Sequence, residues 1–84
     1  MQMIEVRCRC GTKLFKYQKV GKGKLIKCYL SRIIEDNIGL TPKVSVGDLI
    51  LCPRCEERIG TIYGIRGVMA IKLNHGQIMP FRLD

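Results

Sequence analysis

Leu49-Ile-Leu-Cys-Pro-Arg-Cys-Glu-Glu-Arg-Ile-Gly60 reads as a strand that runs into a tight turn and out again. Cys52 and Cys55 bracket that turn, and Pro53 between them fixes φ and stiffens it. This is the spacing of a metal knuckle, in which a short turn presents two thiolates to one ion. A second close pair, Cys8-Arg9-Cys10, is followed by Gly11, which suits the same kind of turn because glycine tolerates positive φ. Four thiolates from two such pairs complete a tetrahedral set for one structural Zn²⁺. A chain of 84 residues builds only a small core, and a metal is a common supplement to it. The expected ligands are Cys8, Cys10, Cys52 and Cys55.

The fifth cysteine, Cys28, has two readings. It lies on the return strand of a predicted hairpin, so it could approach the first knuckle as a ligand. The favoured reading is a small buried hydrophobe. The single histidine, His75, falls in a predicted turn and is expected to face solvent rather than a metal.

Length and composition point to one domain spanning 1–84. A hydrophobic content of 46% gives no reason to invoke disorder. No run of about 18 apolar residues is present, so no membrane span is expected. The start, Met1-Gln-Met-Ile-Glu-Val-Arg7, lacks the pattern of a secretory signal, and a cytoplasmic location is expected. There, close cysteine pairs favour metal or redox chemistry over structural disulfides. A Cys8–Cys10 disulfide would close almost no loop and would stabilise little.

The net charge of +8 is uneven. Residues 1–28 hold eight bases and one acid, a net of +7, whereas residues 29–84 hold seven bases and six acids. A zinc tetrathiolate would carry −2 and leave most of the excess in place. Such asymmetry points to a polyanionic partner, RNA or DNA, or else to a solvated lysine-rich surface.

Strand signals dominate the chain. Ile4–Cys8 alternates apolar and polar residues. Lys13–Val20 is rich in strand formers, Gly21-Lys22-Gly23 is a turn, and Lys24–Leu30 returns, so 12–30 reads as a β-hairpin. Leu30, Ile33, Ile34 and Ile38 have near-helical spacing, with Ser31 as a cap and Gly39 as a stop; a bent strand fits almost as well. Leu40–Lys43 reads as a loop. Arg58–Tyr63, Val68–Leu73 and Gln77–Leu83 read as three further strands. Asn74-His75-Gly76 is a hairpin signal, and Pro80 argues for an edge strand. The expected class is therefore mostly β, small and zinc-stabilised, ribbon-like or β-tent-like, with one short helix near 31–38.

Two resemblances bear on this. Val6-Arg-Cys-Arg-Cys-Gly-Thr-Lys-Leu-Phe-Lys-Tyr17, continued at Lys24-Leu-Ile-Lys-Cys28, resembles the zinc-binding start of the Com translational regulators of Mu-like phages. It differs in having Cys-x-Cys for Cys-x-x-Cys and no second cysteine just after Cys28. The Cys-x-Cys-Gly half also looks like small archaeal zinc-ribbon proteins. Asp48–Gly60 is similar to the second knuckle of β-tent zinc domains, such as Yippee-like and cereblon-type modules. Those domains carry two cysteine pairs separated by several strands. The resemblance implies a structural zinc and a binding surface, and no particular ligand.

Within 13–20, simple alternation puts Lys13, Phe15, Tyr17 and Lys19 on one face and Leu14, Lys16, Gln18 and Val20 on the other. A face that interleaves aromatics with lysines could stack bases and neutralise phosphates; the competing reading places Phe15 and Tyr17 in the core. The expected nucleic-acid contacts are Lys13, Phe15, Lys16, Tyr17, Lys19, Lys22, Lys24 and Lys27. A second function class is a zinc-stabilised module that docks on a protein assembly through an apolar C-terminal third containing Ile71, Ile78, Met79 and Phe81. Enzymatic readings are weak. The single histidine falls in a predicted turn and no Ser/His/Asp set is read from the sequence, and no glycine-rich phosphate loop is present. Cys52-Pro-Arg-Cys55 has the spacing of a thiol redox pair, but such a pair opens a long helix, and a turn and strand follow here. The expectation is a binding protein and not an enzyme.

Overall fold

The computed structural model describes residues 2–20, 27–40 and 44–83. Eight strands form in chain order: β1 (Gln2–Cys8), β2 (Lys13–Lys19), β3 (Lys27–Tyr29), β4 (Ile33–Asp36), β5 (Leu49–Leu51), β6 (Arg58–Ile65), β7 (Val68–Leu73) and β8 (Ile78–Arg82). They build two four-stranded antiparallel sheets. Sheet A runs β4-β2-β1-β8, and sheet B runs β3-β7-β6-β5. The mostly-β class expected from the strand signals is therefore the class observed.

The core draws on both sheets. Ile4, Val6 and Cys8 alternate along β1 with Glu5 and Arg7, and only the first set is buried. They join Leu14, Phe15, Tyr17 and Ile78 from sheet A with Cys28, Ile59, Ile62, Ile71 and Leu73 from sheet B in one cluster. At about 25 cal/mol per Å², this shared apolar burial is the main force holding the layers together. The Tyr17 phenol adds a polar link, because its oxygen accepts a hydrogen bond from the Tyr29 N–H at 3.0 Å.

Four sequence expectations are corrected. The first is the hairpin over 12–30. Its tip, including Gly21-Lys22-Gly23 and Lys24, lies outside the described residues. The described parts of its two arms do not pair: β2 lies between β1 and β4, while β3 pairs with β7 in the other sheet. Both edges of β2 are already occupied, which leaves no ladder for β3.

The second correction is the helix near 31–38. A single 3₁₀ turn covers Leu30–Arg32, its cap residue Tyr29 makes no side-chain cap bond, and β4 follows at once. The β-branched pair Ile33-Ile34 favours extended backbone, and Glu35 and Asp36 pair across to Lys16 and Phe15. Leu40 is buried, and the rest of the expected 40–43 loop lies outside the described residues.

The third is the Asn74-His75-Gly76 hairpin. A turn does form, closed by the Gln77 N–H to the Asn74 carbonyl at 2.9 Å. It carries the chain from β7 in sheet B to β8 in sheet A, so it is a corner between layers. The true two-residue hairpin joins β6 to β7 at Arg66-Gly67, both at positive φ as a type I′ turn requires. Pro80 does lie on an edge strand, because β8 ends sheet A.

The fourth is the alternation within β2. A bulge between Val6 and Arg7 shifts the register, so Val6 faces Phe15 and Arg7 faces Lys13. Leu14 and Phe15 are consequently both buried. A second bulge, opposite Ile50 and Leu51 on β6, buries both Ile59 and Gly60. A Cβ at Gly60 would collide with the Lys72 carbonyl oxygen and the Ile71 side chain, so only glycine lets β6 and β7 approach this closely.

Candidate metal centre

The two knuckles are hairpin turns from different sheets. Cys8 ends β1, Cys10 follows in the turn toward β2, and Cys52 and Cys55 lie in the turn from β5 to β6. The fold thus brings one cysteine pair from each layer to the seam between them. The sulfur atoms of Cys8, Cys10, Cys52 and Cys55 all lie within 4.8 Å of one another. Cys8 Sγ is 3.5 Å from Cys55 Sγ, and Cys10 Sγ is 3.6 Å from Cys52 Sγ. A disulfide needs about 2.05 Å, so these are free thiols in close approach. Four sulfurs on a tetrahedron of about 2.3 Å radius stand about 3.8 Å apart, which matches the observed spacing. The arrangement can hold a metal ion.

Local hydrogen bonds set both turns. The Cys8 N–H donates to the Thr12 carbonyl and the Gly11 N–H to the Cys8 carbonyl, each at 2.9 Å. In the second knuckle the Glu56 N–H donates to the Cys52 carbonyl and the Cys52 N–H to the Glu57 carbonyl, again at 2.9 Å. In each turn the residue after the second cysteine is left-handed: Gly11 at φ 97° and Glu56 at φ 64°. The two knuckles are therefore the same device, with glycine in one and a strained glutamate in the other.

The thiols compete for charge. The Thr12 hydroxyl, 3.1 Å from Cys10 Sγ, and the Thr12 N–H draw the Cys10 thiol down to about 6. Burial pushes Cys52 up, but the N–H groups of Cys55 and Arg54 offset it and leave the thiol below its ordinary value. Cys55 goes the other way. The Glu57 N–H favours its thiolate, yet burial and the neighbouring sulfurs of Cys8, Cys52 and Cys10 carry it up to about 12. Adjacent thiolates cannot all ionise unaided, and a divalent cation removes that conflict.

Cys28 lies outside the four-sulfur cluster, in line with its favoured reading as a buried hydrophobe and against its alternative as a fifth ligand. It is fully buried on β3 opposite Ile71, and burial pushes its thiol up to about 12. It packs as a small hydrophobe. Gln77, at the edge of the site, carried no sequence signal. Gln77 Nε2 donates to Cys8 Sγ at 3.4 Å, and the Arg9 N–H donates to the Gln77 carbonyl at 2.9 Å. Gln77 reaches the site because β8 pairs with β1 and sets Ile78 opposite Cys8.

The structure separates the expected nucleic-acid residues. Phe15 and Tyr17 are 0% and 4% exposed, so neither offers a ring to a base; this corrects the stacking platform on β2. Lys13 and Lys16 face outward, where β1 and β4 set acids beside them. Lys13 Nζ is 2.6 Å from Glu35 and 3.7 Å from Glu5, Lys16 Nζ is 3.9 Å from Glu35, and Arg7 pairs with Glu5. Lys19 ends β2, Lys27 is exposed on β3, and Lys22 and Lys24 lie outside the described residues. Of the apolar residues expected to dock a partner, Ile71 and Ile78 are buried in the core, whereas Phe81 is exposed on the edge strand β8.

Fold and site together define a small two-sheet β domain with a cluster of four cysteines at its seam that could hold a metal ion. No protein-family model, curated relative or solved structure matches the chain. No helix among the described residues is long and apolar enough to cross a membrane.

Proposed function

We propose that Cys8, Cys10, Cys52 and Cys55 hold one structural Zn²⁺ and that the domain so stapled is a cytoplasmic nucleic-acid-binding module. The convergence of four sulfurs within 4.8 Å carries the metal half. An all-thiolate tetrahedral donor set suits zinc, with iron the main competitor. Both close pairs are committed to one centre, and the second sits between strands with no helix N-terminus behind it. This supports a structural role over thiol redox catalysis. Metal analysis of the purified chain tests it: one zinc per chain with no dithiol reductase activity is the expected result, and stoichiometric iron or active reductase would overturn it.

The nucleic-acid half is supported by the net charge of +8 on 84 residues. Binding of fluorescent oligonucleotides as a function of salt tests it. Affinity should fall steeply as salt rises, because released counterions scale with the phosphates contacted. A chain that binds no oligonucleotide at low salt would reject this half and favour a protein-docking module. The exposed Leu49 and Leu51 on the edge strand β5 are the observation favouring that second reading.

A further inference from the structure

The outer face of sheet B has a composition that no linear stretch of the chain displays. Lys27 on β3 stands directly opposite Lys72 on β7, which stands opposite Thr61 on β6. One step along, Tyr29, Ala70 and Tyr63 form the neighbouring row of the same face. Their orientation follows from the pleat, because Cys28, Ile71 and Ile62 between them point into the core. Ala70, between the two tyrosines in this row, is fully buried yet does not belong to the core cluster. Tyr29 and Tyr63 are both partly exposed, on backbones two strand spacings, about 10 Å, apart.

Cations surround this pair. The Arg32 guanidinium carbon lies 5.9 Å from the centroid of the Tyr29 ring, a cation–π geometry. Arg58 stands opposite Leu51 and, with Thr61, Lys72 and Asn74, lines a shallow depression above Gly60. No strand of sheet B contains an acid, whereas Glu5, Glu35 and Asp36 all lie on strands of sheet A. Among the described residues, the side chains of Lys27, Arg58 and Lys72 form no ion pair, in contrast to Lys13 and Lys16. Surface rings with unneutralised cations around them match the chemistry of a flexible polyanion with stackable bases.

We propose that single-stranded nucleic acid lies across the outer face of sheet B, with bases on Tyr29 and Tyr63 and phosphates against Lys27, Arg32, Arg58 and Lys72. The proposal rests on the nucleic-acid reading above and moves the contact surface away from β2. Stacking on a ring is worth several-fold to about a hundredfold in affinity per base, and each phosphate lost removes about 0.7 from the salt slope.

The test uses the full metal-loaded chain and labelled mixed-sequence RNA and DNA oligonucleotides of about 12 nucleotides, within the usual site sizes. Three double variants are compared by anisotropy: Tyr29→Leu with Tyr63→Leu, Lys27→Gln with Lys72→Gln, and Lys13→Gln with Lys16→Gln. Melting curves and metal content establish that each is folded; leucine keeps Ala70 covered while removing the ring. The tyrosine variant should lose at least tenfold in affinity for single strands. The Lys27/Lys72 variant should lower the salt slope by about 1.4. The Lys13/Lys16 variant should stay within about twofold of wild type, as expected for surface lysines already paired with acids. Loss of binding with Lys13/Lys16 and retention in both sheet B variants would overturn the face while leaving nucleic-acid binding intact. A wild-type chain that ignores oligonucleotides would overturn both. In that case a concentration-dependent dimer abolished by Tyr63→Leu would assign the face to protein contact.

Discussion

Withdrawing a metal from the four-sulfur site should weaken the joint between the two sheets, and the size of the effect can be worked out. Cys8 and Cys55 are 47 residues apart in the chain, and their sulfurs lie 3.5 Å apart. An ion binding both knuckles therefore closes a long loop in the unfolded chain. In the chain-entropy account a cross-link of that span contributes about 4 kcal/mol at 25 °C. For a domain of this length each kcal/mol moves Tm by about 4–8 °C, so stripping the ion should lower Tm by about 16–32 °C. Crowded thiols left behind push the effect upward. The binding free energy of structural zinc sites, about 10–16 kcal/mol, rivals the whole stability of a small domain, so complete unfolding is the upper end of the range. The assay is circular-dichroism melting of the loaded chain, the exhaustively chelated chain and Cys10→Ser. Cys10 is the informative position because it is exposed, so its loss removes a ligand without opening a core cavity. A shift below about 5 °C in both stripped samples, with metal loss verified, would show that the apolar core alone holds the layers together, and the reasoning would be wrong.

Replacing Cys28 by Ala should leave one metal per chain while costing about 1–2 kcal/mol in denaturant melts; a fall in metal content would return Cys28 to the ligand set. Gly60→Ala should destabilise by about 1–3 kcal/mol, because the added methyl meets the Lys72 carbonyl oxygen, which is backbone and cannot rotate away, as well as the Ile71 side chain; unchanged melting would show that β6 and β7 can separate at little cost. Glu56→Gly should gain about 0.5–1 kcal/mol by relieving a left-handed non-glycine residue, net of glycine's greater unfolded freedom; a loss would mean that the Glu56 side chain contributes in another way. Lys13 bonds Glu35 and holds its carboxyl below the ordinary 4.5, so the pair's contribution is complete above that pH and is lost as pH falls through the lowered value. The stability difference between wild type and Glu35→Gln should accordingly shrink as pH falls below about 4.5, and a difference that widens toward acid would contradict the assignment.

The knuckles were legible in the sequence because their chemistry is local. Cys-x-Cys-Gly and Cys-Pro-x-Cys each encode a turn, and each turn formed. Most strands were legible for the same reason, since alternation such as Ile4, Val6, Cys8 is a local pattern. Pairing was not legible. Nothing in Lys13–Tyr29 says that β2 would be flanked by β1 and β4, because that outcome depends on which partners bury the most apolar area. The isoleucine spacing over 30–38 fits a bent strand almost as well as a helix, and the competition was settled by a partner strand that no local window contains. Bulges defeat parity arguments in the same way. One extra residue opposite the Val6–Arg7 step turned both Leu14 and Phe15 inward. Gln77 was invisible because it reaches Cys8 only after β8 joins β1.

Charge shows how far register departs from linear composition. The first 28 residues hold most of the excess, yet sheet formation places Glu5 from β1 and Glu35 from β4 beside Arg7, Lys13 and Lys16, so the part of that basic run on β1 and β2 is partly neutralised where it stands. Sheet B does the reverse. Lys27, Arg58 and Lys72 come from three separate segments, two of them within a stretch of nearly balanced charge, and antiparallel pairing sets them on strands that contain no acid. Local field depends on which charges share a face, since exposed charges beyond about 10 Å are largely screened at ordinary salt. A polyanion approaching this domain therefore meets a face defined by register, and the same ladders that bury Cys28, Ile62 and Ile71 on the inside place Lys27, Tyr63 and Lys72 together on the outside.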